Sequence, residues 1–439
     1  MPDTTNKSWF SCDGNGSVHA PPSVSRHSRR QVVTSTVAAT LAAWLGKSAL
    51  HNVAFAEPGK KSERDVLVVL FLRGGADGLS VVAPYGEDAY YRNRPTLALK
   101  KNDVVRLDDF FGLHPALTAL EPFYKEGKLA AIHAVGSGDD TRSHFEAMAT
   151  MERGVADQKA FASSGWLARH LLNAPVTQTS PLRAVAFDSV MPDMLRGAVE
   201  VSVMQSLEEF RLHAPDNDRG KAATATLAAL YGSGNDAVVR AGRETLAVLD
   251  AIKKVDPTNY KPQNGATYPE SHLGNGLRQT AFLIRANLGM EVAALSRGGW
   301  DTHVAQGGTV GLLAGELKDV GDSLAAFAQD LGSEMERVTV LVQTEFGRRV
   351  YENDGLGTDH GRASMMLLLG GGIHGGKVYT KWPGLEENQL EQPGDLRVTT
   401  DYRTVLAEIV EKRLRGAAWV REVFPSVTAQ QYLGLARVE

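Results

Sequence analysis

The chain has 439 residues, 43% of them hydrophobic and 22% charged, with one cysteine and a formal net charge of −4. That length suffices for one large core or for two to three domains. One cysteine excludes an internal disulfide framework, a cysteine-rich zinc site and an iron–sulfur cluster, and the mild acidic excess gives no electrostatic footprint for nucleic acid.

Residues 1–27 are polar and carry no helix or strand period. Ser28-Arg29-Arg30-Gln31-Val32-Val33 follows, then a moderately apolar, alanine-rich run from Thr34 to Leu45. That run is too short for a membrane span, which needs ~20 apolar residues. Ala54-Phe55-Ala56 supplies a small-x-small cleavage pattern. A charged region, a short apolar region and a cleavage site in this order predict an export signal over residues 1–56. The arginine pair is of the twin-arginine type. Removing the signal takes away five basic and two acidic residues and Cys12, so the mature chain carries −7 and no thiol. No later segment approaches a stable membrane span, and the expected location is periplasmic or secreted.

Asp65 to Leu72 is a continuous apolar run, read as a buried strand, and it ends at Arg73-Gly74-Gly75-Ala76-Asp77-Gly78. Leu129 to Val135, Ala184 to Phe187, Met290 to Leu295, Arg337 to Gln343 and Ser364 to Leu369 read as further strands. Helical patterns lie between them, as at Leu117 to Glu126, Gly311 to Leu331 and Tyr402 to Arg413. This alternation predicts an α/β layer fold with a mainly parallel sheet. Residues 216–285 differ: three helical stretches there suggest an insertion, read as a cap. In open parallel sheets ligands bind at the carboxyl ends of strands. Several of these strands end in loops that carry Gly with Asp, Glu or His.

Asp301-Thr302-His303 follows one such strand, and in extended chain positions two apart project to the same side. Asp359-His360 follows the next strand and a loop. His374 sits among glycines in Gly370-Gly371-Gly372-Ile373-His374-Gly375-Gly376, and Asp77 lies in the turn after the first strand. Three imidazoles with several carboxylates suit borderline cations such as Zn²⁺ or Mn²⁺. Ser143 with Glu146 reads as a capping box that opens a helix. The same serine at a helix N-terminus suits an oxyanion, and beside a metal ion its hydroxyl is a candidate nucleophile. Glu345 is either a metal ligand, a supporting base or the partner of Arg348. Arg73, Arg142 and Arg362 are either oxyanion clamps or partners of neighbouring carboxylates. His114 and His133 are expected to be structural, and Trp300 to pack.

Five stretches together resemble a bacterial family with a twin-arginine signal, the domain of unknown function 1501 (DUF1501). They are Leu72-Arg73-Gly74-Gly75-Ala76-Asp77-Gly78, Arg142-Ser143-His144-Phe145, Gly298-Gly299-Trp300-Asp301-Thr302-His303, Thr344-Glu345-Phe346-Gly347-Arg348 and Asp359-His360-Gly361-Arg362. The motif order is also similar to the alkaline phosphatase and sulfatase superfamily. That resemblance implies a three-layer sandwich over residues 57–439 with a helical insertion at about 216–285. It implies one metal on Asp77, Asp359 and His360 beside the nucleophile Ser143, and a second on Asp301, His303 and His374. Arg142 and His144 complete the expected catalytic group, with Glu345 and Arg362 in support. The sequence departs from the superfamily in the close Asp301–His303 spacing, in the Arg142 and His144 flanks, and in having no cysteine for a sulfatase-type formylglycine. The implied activity is an exported metal-dependent hydrolase of phosphate or sulfate esters, small or polymeric. One or two divalent ions (Zn, Mn or Ca) and the twin-arginine export machinery are the implied cofactor and partner. The alternatives are a non-catalytic envelope protein that binds a ligand or partner through the same site, and a phosphomutase or transferase.

Overall fold

The computed structural model describes residues 65–437, apart from 176–179, 181, 198–200, 209–216, 233, 235–236 and 256. The expected export signal lies outside the described residues. Nine strands form the main sheet: β1 (Val66–Leu72), β2 (Leu129–Gly136), β3 (Ala184–Phe187), β4 (Ser202–Met204), β5 (Val292–Arg297), β6 (Val338–Thr344), β7 (Ser364–Leu369), β8 (Val378–Tyr379) and β9 (Thr400–Asp401). Their order is β8-β2-β7-β6-β1-β5-β3-β4, and β9 also pairs with β2. The principal helices are α1 (His144–Arg153), α2 (Trp166–Asn173), α3 (Asp218–Gly232), α4 (Ala237–Val255), α5 (His272–Arg285), α6 (Leu312–Leu331) and α7 (Tyr402–Lys412).

Every residue of β1 is buried, which is why the run is apolar without alternation. Val66, Val68, Leu70 and Leu72 share a core with Leu277 of α5 and Leu317 and Leu324 of α6. Leu67, Val69 and Phe71 face the other way, into a core with Met151 of α1, Leu167 of α2 and Val405 and Ile409 of α7. Helices on both faces of the sheet give three layers, and the α/β expectation holds. The stretch expected as a helical insertion divides. α3 is largely exposed and packs on α4. α5 instead buries Leu273, Leu277, Ala281 and Ile284 within a layer of the core. No helix among the described residues is long and apolar enough to cross a membrane.

Strand direction positions the site. β1 is parallel to β5 and β6, and Leu72 stands level with Arg297 and Thr344. The loops that leave these three strands therefore start side by side. β7 is antiparallel to both of its neighbours, β2 and β6. Ser364, at its start, pairs with Val135 near the end of β2, while Leu369 pairs with Leu129 and Val340 near the strand beginnings. Residues 359–363 thus enter β7 at the end of the sheet where the other strands leave it. The glycine-rich segment after β7 lies at the opposite end.

His133 on β2 is fully buried, and its Nε2–H donates to the Val82 carbonyl at 2.9 Å. Burial lowers its pKa to about 4. His170 on α2 is lowered to about 3, by burial and then by Arg183. An unfolded histidine titrates near ~6.5, so these groups favour the folded state fully above that pH. The contribution is lost as pH falls from about 6.5 towards 4, amounting to about 3 kcal/mol for His133. Urea unfolding across that window is expected to show stability falling steeply with acid. His133→Gln is expected to flatten the slope, and an unchanged slope would show that the imidazole is not held neutral.

Candidate metal centre

The site begins with Arg348, just past the end of β6. Its side chain is fully buried. Nε donates to the Gly75 carbonyl at 2.6 Å and Nη1 to Thr358 O at 2.8 Å. Nη2 donates to Gly74 O at 2.5 Å, Trp300 O at 3.0 Å and Asp301 Oδ1 at 2.6 Å. One guanidinium therefore joins the loops after β1, β5 and β6 and the segment before β7. Gly74 is required here: φ is +126°, and a Cβ would lie 2.8 Å from the backbone nitrogen of Asp301.

Asp301 and His303 project to one side through two successive tight turns, Thr302 N–H to Trp300 O at 2.9 Å and His303 N–H to Asp301 O at 3.1 Å, while buried Thr302 donates to Gln306 Oε1 at 2.8 Å. Asp301 Oδ1 lies 3.0 Å from His303 Nε2 and 3.0 Å from His360 Nε2. The two Nε2 atoms are themselves 3.0 Å apart. His144, the first residue of α1, brings Nε2 to 3.6 Å from Asp301 Oδ2. That Nε2 is buried and has no hydrogen-bond partner. One ligand atom each from His144, Asp301 and His360 lie within 4.8 Å of one another.

The far side of each ring explains this crowding. His144 Nδ1 is 2.7 Å from Glu345 Oε1, which also accepts Gly74 N–H at 2.8 Å. His360 Nδ1 is 3.0 Å from the Arg142 carbonyl. His303 Nδ1 is 3.3 Å from Asp359 Oδ1. Carbonyls and carboxylates only accept, so a proton on Nδ1 suits each of these contacts. Asp301 Oδ1 is an acceptor facing Nε2 of both His303 and His360 as well, so a neutral ring meets more acceptors than it has protons, and a cation bound at Nε2 would resolve that conflict by leaving the protons on Nδ1. This donor set, with outer oxygens fixing each ring, is that of a histidine-rich metal site. Tetrahedral zinc at about 2.0–2.1 Å from each ligand places neighbouring ligands roughly 3.3 Å apart; the His303 and His360 Nε2 atoms stand 3.0 Å apart and His144 Nε2 3.6 Å from Asp301 Oδ2, and the compact trio is His144, Asp301 and His360.

Electrostatics agree. Burial raises the Asp301 pKa, but the bonds from Arg348 and His360 outweigh it and hold the carboxylate at about 2. Burial lowers the pKa of His360 despite Asp301. His144 is raised, chiefly by its bond to Glu345. Asp359 is lowered, first by Asn353 and then, against burial, by His303.

Other expected residues fall elsewhere. His374 is exposed at the opposite end of the sheet, because β7 runs against its neighbours and carries the chain away from the cluster. Asp77 is fully buried in a bidentate pair with Arg94, at 2.5 and 3.0 Å, and accepts Gln306 Nε2 at 2.8 Å. It braces the loops from behind and turns no oxygen to the cluster. Asp359 stands behind His303 rather than among the converging atoms. Glu345 takes His144 rather than Arg348. The arginines proposed as clamps are engaged: Arg142 with Asp395, Arg362 with Glu391, and Arg73 with Glu152.

Ser143 is the N-cap residue of α1, yet its side chain makes no capping bond. The capping box is absent because Thr141 Oγ1 takes the Ser143 N–H, at 3.1 Å, that Glu146 would have taken. Trp300 is buried and packs, as expected. Sequence reasoning missed His144 as a ligand, as well as Arg94, Gln306 and Asn353. His144 carried a signal, standing at a helix start after a strand-end loop. Asn353, which donates to His303 O and Asp359 Oδ1 at 3.0 Å each, had none.

A family model described as "Protein of unknown function (DUF1501)" matches residues 64–409. Among curated proteins none matches. Similar solved structures include the zinc complex of the C-terminal periplasmic domain of EcEptC from Escherichia coli. It is 10% identical, with 84% of this chain and 87% of that chain covered, at a TM-score of 0.35. Alkaline phosphatase from the Antarctic bacterium TAB5 is 9% identical, with 83% and 100% covered, at a TM-score of 0.32. Likeness at this level is too loose to carry over a metal or a substrate.

Asp77→Asn leaves Arg94 buried without a countercharge and is expected to cost about 3–5 kcal/mol of stability by urea unfolding. The folded Asp77 pKa is depressed, so its contribution is present above ~4 and lost as pH falls further. The gap between the variant and the parent is therefore expected to narrow as pH falls below ~4.

Proposed function

The chain belongs to the DUF1501 family, and from its geometry we propose an exported, metal-dependent hydrolase of phosphate or sulfate esters. The observation that carries this reading is the orientation of the rings. Three imidazoles have Nδ1 set against oxygen acceptors and Nε2 turned towards Asp301. The residues that would hold the ion are His144, His303 and His360 through Nε2, with Asp301 through a carboxylate oxygen. Three imidazoles suit Zn²⁺ or Mn²⁺ and disfavour Ca²⁺, which takes oxygen ligands. Such an ion polarises an ester oxygen as a Lewis acid and eases ionisation of a nearby hydroxyl or water.

The chain's own groups supply the rest. Glu345, Asp359 and the Arg142 carbonyl accept at Nδ1 and orient the rings, so Nε2 is the atom each ring would offer an ion. Asp301 is about half exposed, which leaves the cluster open to an incoming ester. Ser143 is the proposed nucleophile, because its hydroxyl is not used as a cap and it adjoins His144. The first N–H groups of α1 favour the anionic oxygens of the ester. Arg349, with Nη1 3.9 Å from Asp359 Oδ2, adds positive charge nearby. Export by the twin-arginine route to the periplasm or medium is supported by Arg29-Arg30 and by the lack of any cysteine after residue 56. One observation favours the second reading, a non-catalytic envelope binding protein. Arg73, Arg142 and Arg362 are all engaged with carboxylates and do not clamp an oxyanion.

Elemental analysis of the purified protein is expected to show a bound divalent ion, lost in His144→Ala and His360→Ala and kept in His374→Ala. Glu345→Gln should weaken binding about 10- to 100-fold. Retention of no ion by the parent protein would overturn the metal reading. Aryl phosphates, phosphodiesters and aryl sulfates, assayed with Zn²⁺ and Mn²⁺, separate the two functions. Ser143→Ala is expected to keep the ion and to lose at least a hundredfold of the turnover. A metal-loaded protein silent across the panel would establish the binding reading instead.

A further inference from the structure

Arg142 has a left-handed backbone, with φ of 54°, which is costly for any residue but glycine. That conformation aims its carbonyl at His360 Nδ1, 3.0 Å away. The side chain points elsewhere. Nε and Nη2 both donate to Asp395 Oδ2, the former at 2.9 Å. Nη2 also reaches Gln392 O at 3.1 Å, and Nη1 reaches Asp140 O at 3.1 Å. The Asp395 side chain is fully buried and that of Arg142 three-quarters so, which screens the pair less than an exposed one.

Asp395 also grips the segment that carries His360. Its backbone bridges to Arg349, and the neighbouring Gly394 carbonyl accepts Val350 N–H at 2.9 Å. Arg349 N–H in turn donates to Asp359 O at 2.9 Å, and Arg348 bridges to His360. The loop around Asp395 thus touches both sides of one hydrogen bond: the chain bearing the acceptor and the ribbon bearing the ring. A strained residue at a functional site persists only where its surroundings over-determine it. Here the surroundings are a buried carboxylate and a fork of guanidinium donors.

We infer that Asp395 and Arg142 form a positioning device, in which the ion pair holds the Arg142 carbonyl against His360 Nδ1 and so keeps the ring oriented with Nε2 towards the cluster. Neither residue touches the converging ligand atoms. The role is that of an outer support, reached through the backbone of one residue and the carboxylate of another, and it rests on the metal reading above only for its benefit to ion binding. The ring orientation itself is a property of the metal-free chain.

Two readouts on the full chain test it. Proton NMR of the full chain is expected to show a His360 Nδ1–H signal protected from solvent exchange. In Asp395→Ala that protection should be lost, and Asp395→Asn serves if the alanine variant fails to fold. Zn²⁺ affinity, by competition with a coloured chelator, should fall 10- to 100-fold in Asp395→Ala. The cobalt(II) absorption bands should shift as well. Arg142→Gly should lose less affinity than Arg142→Ala, because glycine adopts positive φ freely although both lack the guanidinium. A parent protein that takes up no Zn²⁺, with the Nδ1–H protection nonetheless lost in the variants, would remove the metal reading and uphold the positioning. Retained Nδ1–H protection together with unchanged Zn²⁺ affinity in folded Asp395 and Arg142 variants would overturn it.

Discussion

The cluster depends on one buried guanidinium. From its own loop after β6, Arg348 directs its donors to the loops after β1 and β5 and to the segment before β7, and one of the five acceptors is the Asp301 carboxylate. Four carbonyl oxygens that would otherwise be crowded and unsatisfied gain a common donor. A planar fork of fixed N–H directions can do this, and the compact ammonium of lysine cannot. The charge also has a target, because Asp301 is held ionised at the point where the imidazole Nε2 atoms approach it.

A second buried pair lies beneath the first. Arg94 and Asp77 satisfy one another, and Arg94 also donates to Val350 O at 2.9 Å and Arg349 O at 2.8 Å. Gln306 extends the layer by giving its amide N–H to Asp77 and accepting Thr302 and Thr358 through Oε1. Buried ion pairs add little net stability over well-packed apolar groups, but they are costly to break and specific in geometry. The layer therefore sets where the loops sit more than how stable the chain is. It also explains why an aspartate in a motif, Asp77, serves the cluster without facing it.

What the sequence revealed follows from what leaves a local signature. Continuous apolar runs marked β1, β2, β6 and β7, and the loops after them marked the region of the site. Alternation placed Asp301 with His303, although the chain reaches that arrangement through tight turns. Strand direction left no such trace, since an antiparallel β7 buried on both faces reads like a parallel one. β7 lies between His360 and His374, and its reversed direction is what leaves His360 at the site end and carries His374 to the other. Pairings such as Asp77 with Arg94, or Arg142 with Asp395, depend on tertiary neighbours and on no spacing along the chain. Asp359 and His360 were legible as a pair, but only the fold shows that the histidine faces the cluster and the aspartate stands behind His303.

The strand order bears on when the site can exist at all. β2 carries the chain to Arg142 and His144, yet all its partners, β7, β8 and β9, are made later in the sequence. Until about residue 364 has been synthesised, β2 has no edge to join. His144 then has no fixed position relative to His303, and His360 arrives in the same stretch of chain that completes the sheet. Contacts of such long sequence separation form slowly. A nascent or truncated chain would therefore hold its histidines apart, and the cluster appears only when nearly the whole polypeptide has closed around β7.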